Sequence, residues 1–439
     1  MKNIDSLIYP RWIIPIEPDY QVFENHVIAI NNGIILDIIP VGFENKYNAK
    51  EKIVLSSHAM MPGFINAHTH TPMTLFRGMA DDLKLMEWLQ HHIWPSEKTW
   101  LSEEFCFDGA RLAILEMLKS GTTCFNDNYF YLKSIGEACR QSQMRASLGV
   151  CALDFSTGYG NNFQEYLKKA EEIIEQFKCD ELISVNIAPH APYTVSDQSF
   201  SEVKKFAERY QLKIQIHLQE SIEEVNESIR QFQMRPVKRL YELGVLSSHT
   251  QAVHMVHLTE EDFSIIQKSQ THIVHCPESN LKLASGFCQV QKCIEYGINV
   301  ALGTDGAASN NDLDMLGEMK TAAILAKAVS QNSSALNAFE ALKMATLNGA
   351  KAMGLSEKIG SLVNNKHADM IAIDLSYPNT QPVYHPISQI VYASHANQIS
   401  DVWVKGKQVL KNHQCVFLDE QEIIEKANLW KTKILGESL

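Results

Sequence analysis

PGFINAHTHTPMTLFRG, residues 62–78, runs apolar and then stops on two histidines one residue apart. Alternate side chains of a β-strand share a face, so His68 and His70 project the same way and can reach one metal ion. Among seventeen histidines, an HxH triplet is also what two solvated strand-end residues look like. Three further segments weigh against that reading, because each runs apolar and then ends on a metal-binding or proton-transferring side chain. They are LKIQIHLQE with His217 and Glu220, TQAVHMVHL with His254, and INVALGTDGAASNN with Asp305.

From residue 60 onward, short β-branched runs alternate with longer stretches of helical period, the pattern of a parallel sheet with crossover helices. Eight candidate strands are legible: MMPGFINAHTH, GTTCFNDNY, RASLGVCAL, LISVNIAPH, LKIQIHLQE, QAVHMVHL, HIVHCPES and INVALGTDG. Helices are expected over Ser102–Lys119, Phe163–Phe177, Asp197–Tyr210, Arg235–Leu243 and Asp314–Lys327, several followed by a Gly stop. The predicted fold is α/β, a (β/α)8 TIM barrel, with every candidate catalytic residue at the C-terminal end of a strand, where such barrels carry their sites. The flanks are strand-rich: VIAINNGIILDII with an Asn32-Gly33 turn, then ADMIAIDL, ISQIVYA and DVWVKGKQVL near the other end. Residues 1–60 and 374–439 are therefore expected to pair into one small composite β-sandwich domain around a barrel of residues 61–373.

At 439 residues and 45% hydrophobic, the chain has ample material for a large core. A net charge of −12 without a basic run disfavours a nucleic-acid partner, so a small molecule is the expected ligand. MKNIDSLIYPRW lacks the apolar core of a signal peptide, and no stretch is long and apolar enough to span a membrane. Nine cysteines with no CxxC pair indicate neither a disulfide framework nor a thiolate zinc site. A cytoplasmic protein with reduced thiols and no membrane partner is expected.

His68, His70, His217 and Asp305 offer three imidazoles and one carboxylate, a set suited to one divalent metal per subunit, zinc first, with Fe2+ or Mn2+ as alternatives. Glu220 lies three residues beyond His217, where the chain has left strand geometry. It is expected to take a proton from the attacking water and deliver it to a ring nitrogen of the substrate. The competing reading makes it a helix N-terminal glutamate favoured by the dipole. His254 is placed to hydrogen-bond the nucleophilic water, completing a catalytic set of Glu220, His254 and Asp305. Met73, Leu75, Phe76, Met79, Leu85, Met86 and Trp88 are either a core face or the wall of an apolar pocket, with Trp88 the foremost pocket candidate.

These residues resemble the amidohydrolase superfamily, and within it the 5′-methylthioadenosine/S-adenosylhomocysteine deaminases. The resemblance spans about residues 5–410 and rests on PGFINAHTHTPMTLFRGMADDLKLMEWL, APHAPYTVSD, IHLQE, VHCPESNLKLASG and ALGTDGAASNNDLDML. It implies metal-dependent deamination at C6 of adenine in methylthioadenosine, S-adenosylhomocysteine or adenosine. It implies that Glu97 in WPSEKTW binds the ribose hydroxyls, since a carboxylate accepts two hydrogen bonds from a vicinal diol. His190 in APHAPYT would contact the purine, and Arg145 in QMRASLGV would lie near the far end of the substrate. Some members carry a second arginine after the third strand for the homocysteine carboxylate; residues 146–182 contain none, and Lys168 or Lys169 lacks the bidentate fork. Methylthioadenosine is thus the firmer substrate. A homodimer is the oligomeric state the resemblance suggests, without a legible interface.

Two alternatives remain open to the sequence. Guanine, cytosine or s-triazine hydrolysis would use the same metal and hydroxide, but without need of the diol acceptor Glu97. A barrel that had lost its chemistry and served as an interaction scaffold would have lost ligands, yet all of them are present.

Overall fold

The computed structural model describes residues 1–436. Eight parallel strands follow one another around a nearly closed barrel: β1 (Phe64–Thr69), β2 (Thr122–Tyr129), β3 (Arg145–Ala152), β4 (Ile183–Pro189), β5 (Ile214–Leu218), β6 (Thr250–His254), β7 (His272–His275) and β8 (Val300–Leu302). All eight fall on the expected segments. Most are buried along their whole length, as strands covered by helices on one side and packed into a lumen on the other must be. β1 and β8 meet where the Asp305 N–H donates to the His68 carbonyl at 3.0 Å. Gly303 makes that approach possible, since a Cβ there would lie 2.8 Å from the His68 nitrogen.

The helices start where capping residues dictate. Ser102, Asn162, Ser196 and Asp314 each accept a backbone N–H of the first turn, and the helices run Glu103–Lys119, Phe163–Phe177, Asp197–Tyr210 and Met315–Ser330. The Gly stop holds at Gly121 and Gly244, but five helices end on glutamine in the left-handed region, among them those capped by Gln211 at φ 55° and Gln331 at φ 51°. The Gly rule fails there because a left-handed C-cap accepts any residue at a modest steric cost.

The termini form a single mixed sheet of nine strands. Lys2–Ile13 runs parallel to Tyr47–Pro62, and the His26–Asn31/Ile34–Pro40 hairpin turns at Asn32-Gly33. Met370–Asp374 joins the C-terminal strands to this set by antiparallel pairing with Tyr47–Pro62. Ile8, Ile28, Met60, Met370, Ala372 and Trp403 share one core between its halves.

Three expectations are corrected here. The sheet takes in the strand Met370–Asp374, of which the boundary at residue 374 gave the first four residues to the barrel, and its C-terminal part is not sheet throughout. ISQIVYA forms the helix Pro386–Ala393, because Pro386 opens a first turn capped by the His385 ring. The helix Glu420–Leu435 leaves the sheet and docks on the barrel helix Glu103–Lys119, through Trp430 Nε1 to Asp108 Oδ2 at 2.9 Å and Arg111 to Glu422.

The third correction is Arg145. As the first residue of β3 it lies at the opposite end of the barrel from the strand C-termini. Its guanidinium is 3% exposed, with Nε 2.7 Å from Asp369 Oδ2 and Nη1 donating to the Glu181 carbonyl. It ties the barrel floor to the terminal sheet and touches no substrate pocket. Breaking one side of a buried ion pair leaves an uncompensated charge. Asp369→Ala is therefore expected to lose about 3–5 kcal/mol of stability by urea denaturation, while KM for any substrate of the opposite face is unchanged.

Candidate active site

At the C-terminal face, the ends of β1, β5 and β8 bring four donors together. His68 Nε2 lies 3.2 Å from His217 Nε2 and 3.4 Å from Asp305 Oδ1, and His70 Nε2 lies 3.3 Å from the same oxygen. Donors placed about 2.0–2.1 Å from a zinc ion in a tetrahedron stand about 3.3 Å apart. The spacing therefore fits a coordinated cation. The second nitrogen of each imidazole is also spoken for: His68 Nδ1 is 3.0 Å from Gln215 Oε1, His70 Nδ1 is 2.6 Å from the Asn128 carbonyl, and His217 Nδ1 is 2.8 Å from the His190 carbonyl. Each of these acceptors holds the proton on Nδ1 and leaves the Nε2 lone pair turned inward, as metal-binding histidines require.

Electrostatics agree for two of the three imidazoles, while at His70 burial is outweighed by the Asp305 carboxylate, which lifts that ring above its usual value. Burial drives the His68 imidazole down to about 4 and takes His217 well below its usual range, so both are neutral. Burial opposes ionisation of Asp305, but the neighbouring His68 and His70 outweigh it and hold the carboxyl well below its ordinary value. Among the described residues, the donors of His68, His217 and His254 also lie within 4.8 Å of one another, as do those of His68, His70 and Asp305. His254 thus flanks the centre.

Beside the donors is a cavity of about 620 Å³ lined by His70, Trp88, Glu97, His190, Glu220, His254 and Asp305. β5 stops at Leu218, and Gln219 takes φ 51°, which turns Glu220 out of strand geometry and into this space. The helix-dipole reading of Glu220 fails, because Ser221 caps the next helix and Glu224 accepts the N–H groups of Gln219 and Glu220 at 2.8 and 3.1 Å. Burial, aided by the Asp305 charge, lifts the Glu220 carboxyl to about 8, and its Oε2 is 3.7 Å from His254 Nε2. A carboxyl poised between protonation states suits proton transfer.

Glu97 stands across the cavity on the helix Trp94–Trp100, reached by a π-helical turn over Leu89–Ile93. Burial raises its carboxyl to about 7, and the Tyr129 hydroxyl donates to Oε1 at 2.7 Å, leaving Oε2 for a ligand. His190, pushed down to about 4 by burial, presents a neutral ring 5.0 Å from that of His217, with Nδ1 against the Thr194 hydroxyl. Of the apolar residues after the HxH, Met73, Leu85 and Trp88 line the cavity, whereas Phe76 packs on Phe105 in the core. Lys169 donates to the Tyr159 carbonyl and stays out of the site.

The structure adds residues that sequence reading passed over. Tyr129, which holds Glu97, ends β2 and could have been flagged by that position alone. Lys98, Tyr193 and Phe155 line the cavity with no sequence signal.

The Amidohydrolase family profile matches residues 59–409. The chain is 44% identical to a 5-methylthioadenosine/S-adenosylhomocysteine deaminase of Saccharophagus degradans, over 99% of this chain and 97% of the relative. It is 42% identical to a 5′-deoxyadenosine deaminase of Methanopyrus kandleri, with 88% of each covered. Among solved structures, a zinc-bound adenosine deaminase from Xanthomonas campestris superposes with a TM-score of 0.98 at 43% identity, covering 99% of both chains. With the profile spanning the whole barrel and these relatives spanning nearly the whole chain, this protein belongs to the amidohydrolase family.

Proposed function

We propose that the protein hydrolytically deaminates C6 of the adenine in 5′-substituted adenosines, with methylthioadenosine ahead of S-adenosylhomocysteine. The observation that carries the reading is the pairing of a proton-transferring carboxyl, Glu220, beside the donor cluster with a diol acceptor, Glu97, across one cavity. The activities for which these relatives are named, on methylthioadenosine, S-adenosylhomocysteine, 5′-deoxyadenosine and adenosine, support the same class.

A divalent cation, zinc foremost, held by Nε2 of His68, His70 and His217 and by Oδ1 of Asp305, would supply the Lewis acidity that makes water nucleophilic near neutral pH. Glu220 takes a proton from the attacking water and hands it to N1 of the purine as the oxygen bonds to C6. His254 accepts a hydrogen bond from that water through Nε2 and orients it, and Asp305 serves as the second proton acceptor. N6 takes the remaining proton, the C6–N6 bond breaks, and ammonia leaves the inosyl product. His190 packs against the purine, Glu97 accepts from the ribose hydroxyls, and Trp88 bounds the 5′ substituent. Lys98 is the one lysine or arginine among the described residues lining the cavity, and Leu85, Trp88, Phe130 and Phe155 give that cavity apolar surface. That lining favours a methylthio group over a zwitterionic amino acid, whose carboxylate would find no guanidinium fork.

Guanine, cytosine and triazines lack the ribose that Glu97 would bind. All nine cysteines are unpaired, which supports a reducing compartment, the cytoplasm. No helix among the described residues is long and apolar enough to cross a membrane.

Glu220→Gln is expected to keep its metal and lose deamination by about 10²–10⁴-fold in kcat, followed by loss of adenine absorbance; turnover near the wild-type rate would remove Glu220 from the mechanism. Glu97→Ala is expected to weaken kcat/KM for methylthioadenosine by about 10–100-fold and to leave free adenine unaffected. Equal losses for base and nucleoside would refute the diol contact. Chelation should abolish activity and lower Tm, with both restored by one equivalent of zinc.

A further inference from the structure

The segment VHCPESNLKLASG, residues 274–286, supplies no group to the reaction above, yet two adjacent residues of it touch two of the reacting side chains. Ser279 and Asn280 sit on the short helix Pro277–Lys282 that follows β7, and both are 1% exposed or less. The Ser279 hydroxyl donates to Asp305 Oδ2 at 2.7 Å, and His254 Nδ1 lies 2.9 Å from Asn280 Oδ1.

Both residues they hold carry unusual backbone. His254 has φ 73° and Asp305 φ 64°, in the left-handed region that non-glycine residues seldom occupy. Such conformations persist only where surrounding contacts over-determine them, and they concentrate at functional sites. The side chains so aimed are the imidazole that orients the water and the carboxylate donor.

Asn280 is also a poor choice for packing alone. Its Nδ2 is buried and has no hydrogen-bond partner among the described residues, a cost that a leucine of similar size would avoid. Its Oδ1 bond to His254 is what such a cost would serve. A neutral imidazole carries one proton, and an acceptor at Nδ1 fixes that proton there, leaving Nε2 bare. His254 Nε2 is the nitrogen that faces Glu220.

We infer that Asn280 is a positioning residue that locks His254 in the Nδ1–H tautomer, so that its bare Nε2 accepts a hydrogen bond from the attacking water and orients it. The inference rests on the deaminase reading for its kinetic consequence, but the tautomer itself is a property of the folded chain. In the opposite tautomer Nε2 would donate towards the water and offer it no lone pair. Ser279, one residue earlier, turns Asp305 by the same helix, so a single turn of chain sets both groups.

The test uses the metal-loaded full-length protein with isotope-labelled histidine, the His254 ring signals being assigned by their loss in His254→Asn. Wild type is expected to give an Nδ1-protonated His254, and Asn280→Leu to give mainly the Nε2–H form. In kinetics on methylthioadenosine, Asn280→Leu should lose about 10–100-fold in kcat with KM and metal content nearly unchanged. Asn280→Asp, which keeps an acceptor at Nδ1, should recover at least about tenfold of that loss. A packing role would instead lower Tm and metal content in both variants and show no rescue. An Nε2–H His254 in active wild type, an Asn280→Leu protein as fast as wild type, or Asp no better than Leu would each overturn the inference. Wild type inert towards every adenine nucleoside would overturn the deaminase reading instead, and the ring signals would still decide the tautomer.

Discussion

Four metal-type donors in a buried site, linked by three contacts of 3.2–3.4 Å, are the constraint on which this molecule turns. Lone pairs so close repel one another, and burying a carboxylate costs several kcal/mol unless a positive charge compensates it. A cation at their centre resolves both problems. The rest of the barrel serves to hold them in place: β1 gives the two HxH histidines, β5 gives His217, and closure of β8 against β1 through Gly303 brings Asp305 alongside. The acceptors at Gln215, Asn128 and His190 then fix which nitrogen of each ring points inward.

Chemistry and recognition are divided between parts of different stiffness. Proton transfer and the donor cluster sit at the ends of buried strands, which cannot shift without disturbing a packed core. Trp88 and Glu97 instead ride on three short helical turns, Leu85–Trp88, Leu89–Ile93 and Trp94–Trp100, laid over the cavity. Loops and short turns of this kind accept change without loss of the scaffold, so substrate preference can vary among proteins that share one reaction. The Tyr129 hydroxyl couples the two parts by anchoring Glu97 to the end of β2.

Much of this was legible in the sequence, for physical reasons. A strand buried on both faces reads as a continuous apolar run, and the residue that breaks the run at its C-terminal end is the one left facing the site; His68, His217, His254 and Asp305 all announced themselves so. Arg145 misled because the family likeness was followed past its position. The first residue of a parallel strand belongs to the barrel floor, where its guanidinium meets Asp369. ISQIVYA read as a strand because its apolar content hid the helix start at Pro386, and the sheet boundary slipped because Met370–Asp374 acquires its role only by pairing with Tyr47–Pro62. Tyr129 and Asn280 act through partners 32 and 26 residues away, contacts that one sequence cannot announce.

X-ray absorption at the metal edge of the purified, loaded protein tests the donor cluster most directly. The account predicts one ion per chain with three imidazole nitrogens and one carboxylate oxygen at about 2.0–2.2 Å, and loss of one imidazole from the spectrum in His217→Ala. A sulfur donor, fewer than two imidazoles, or a spectrum indifferent to His217 would contradict it.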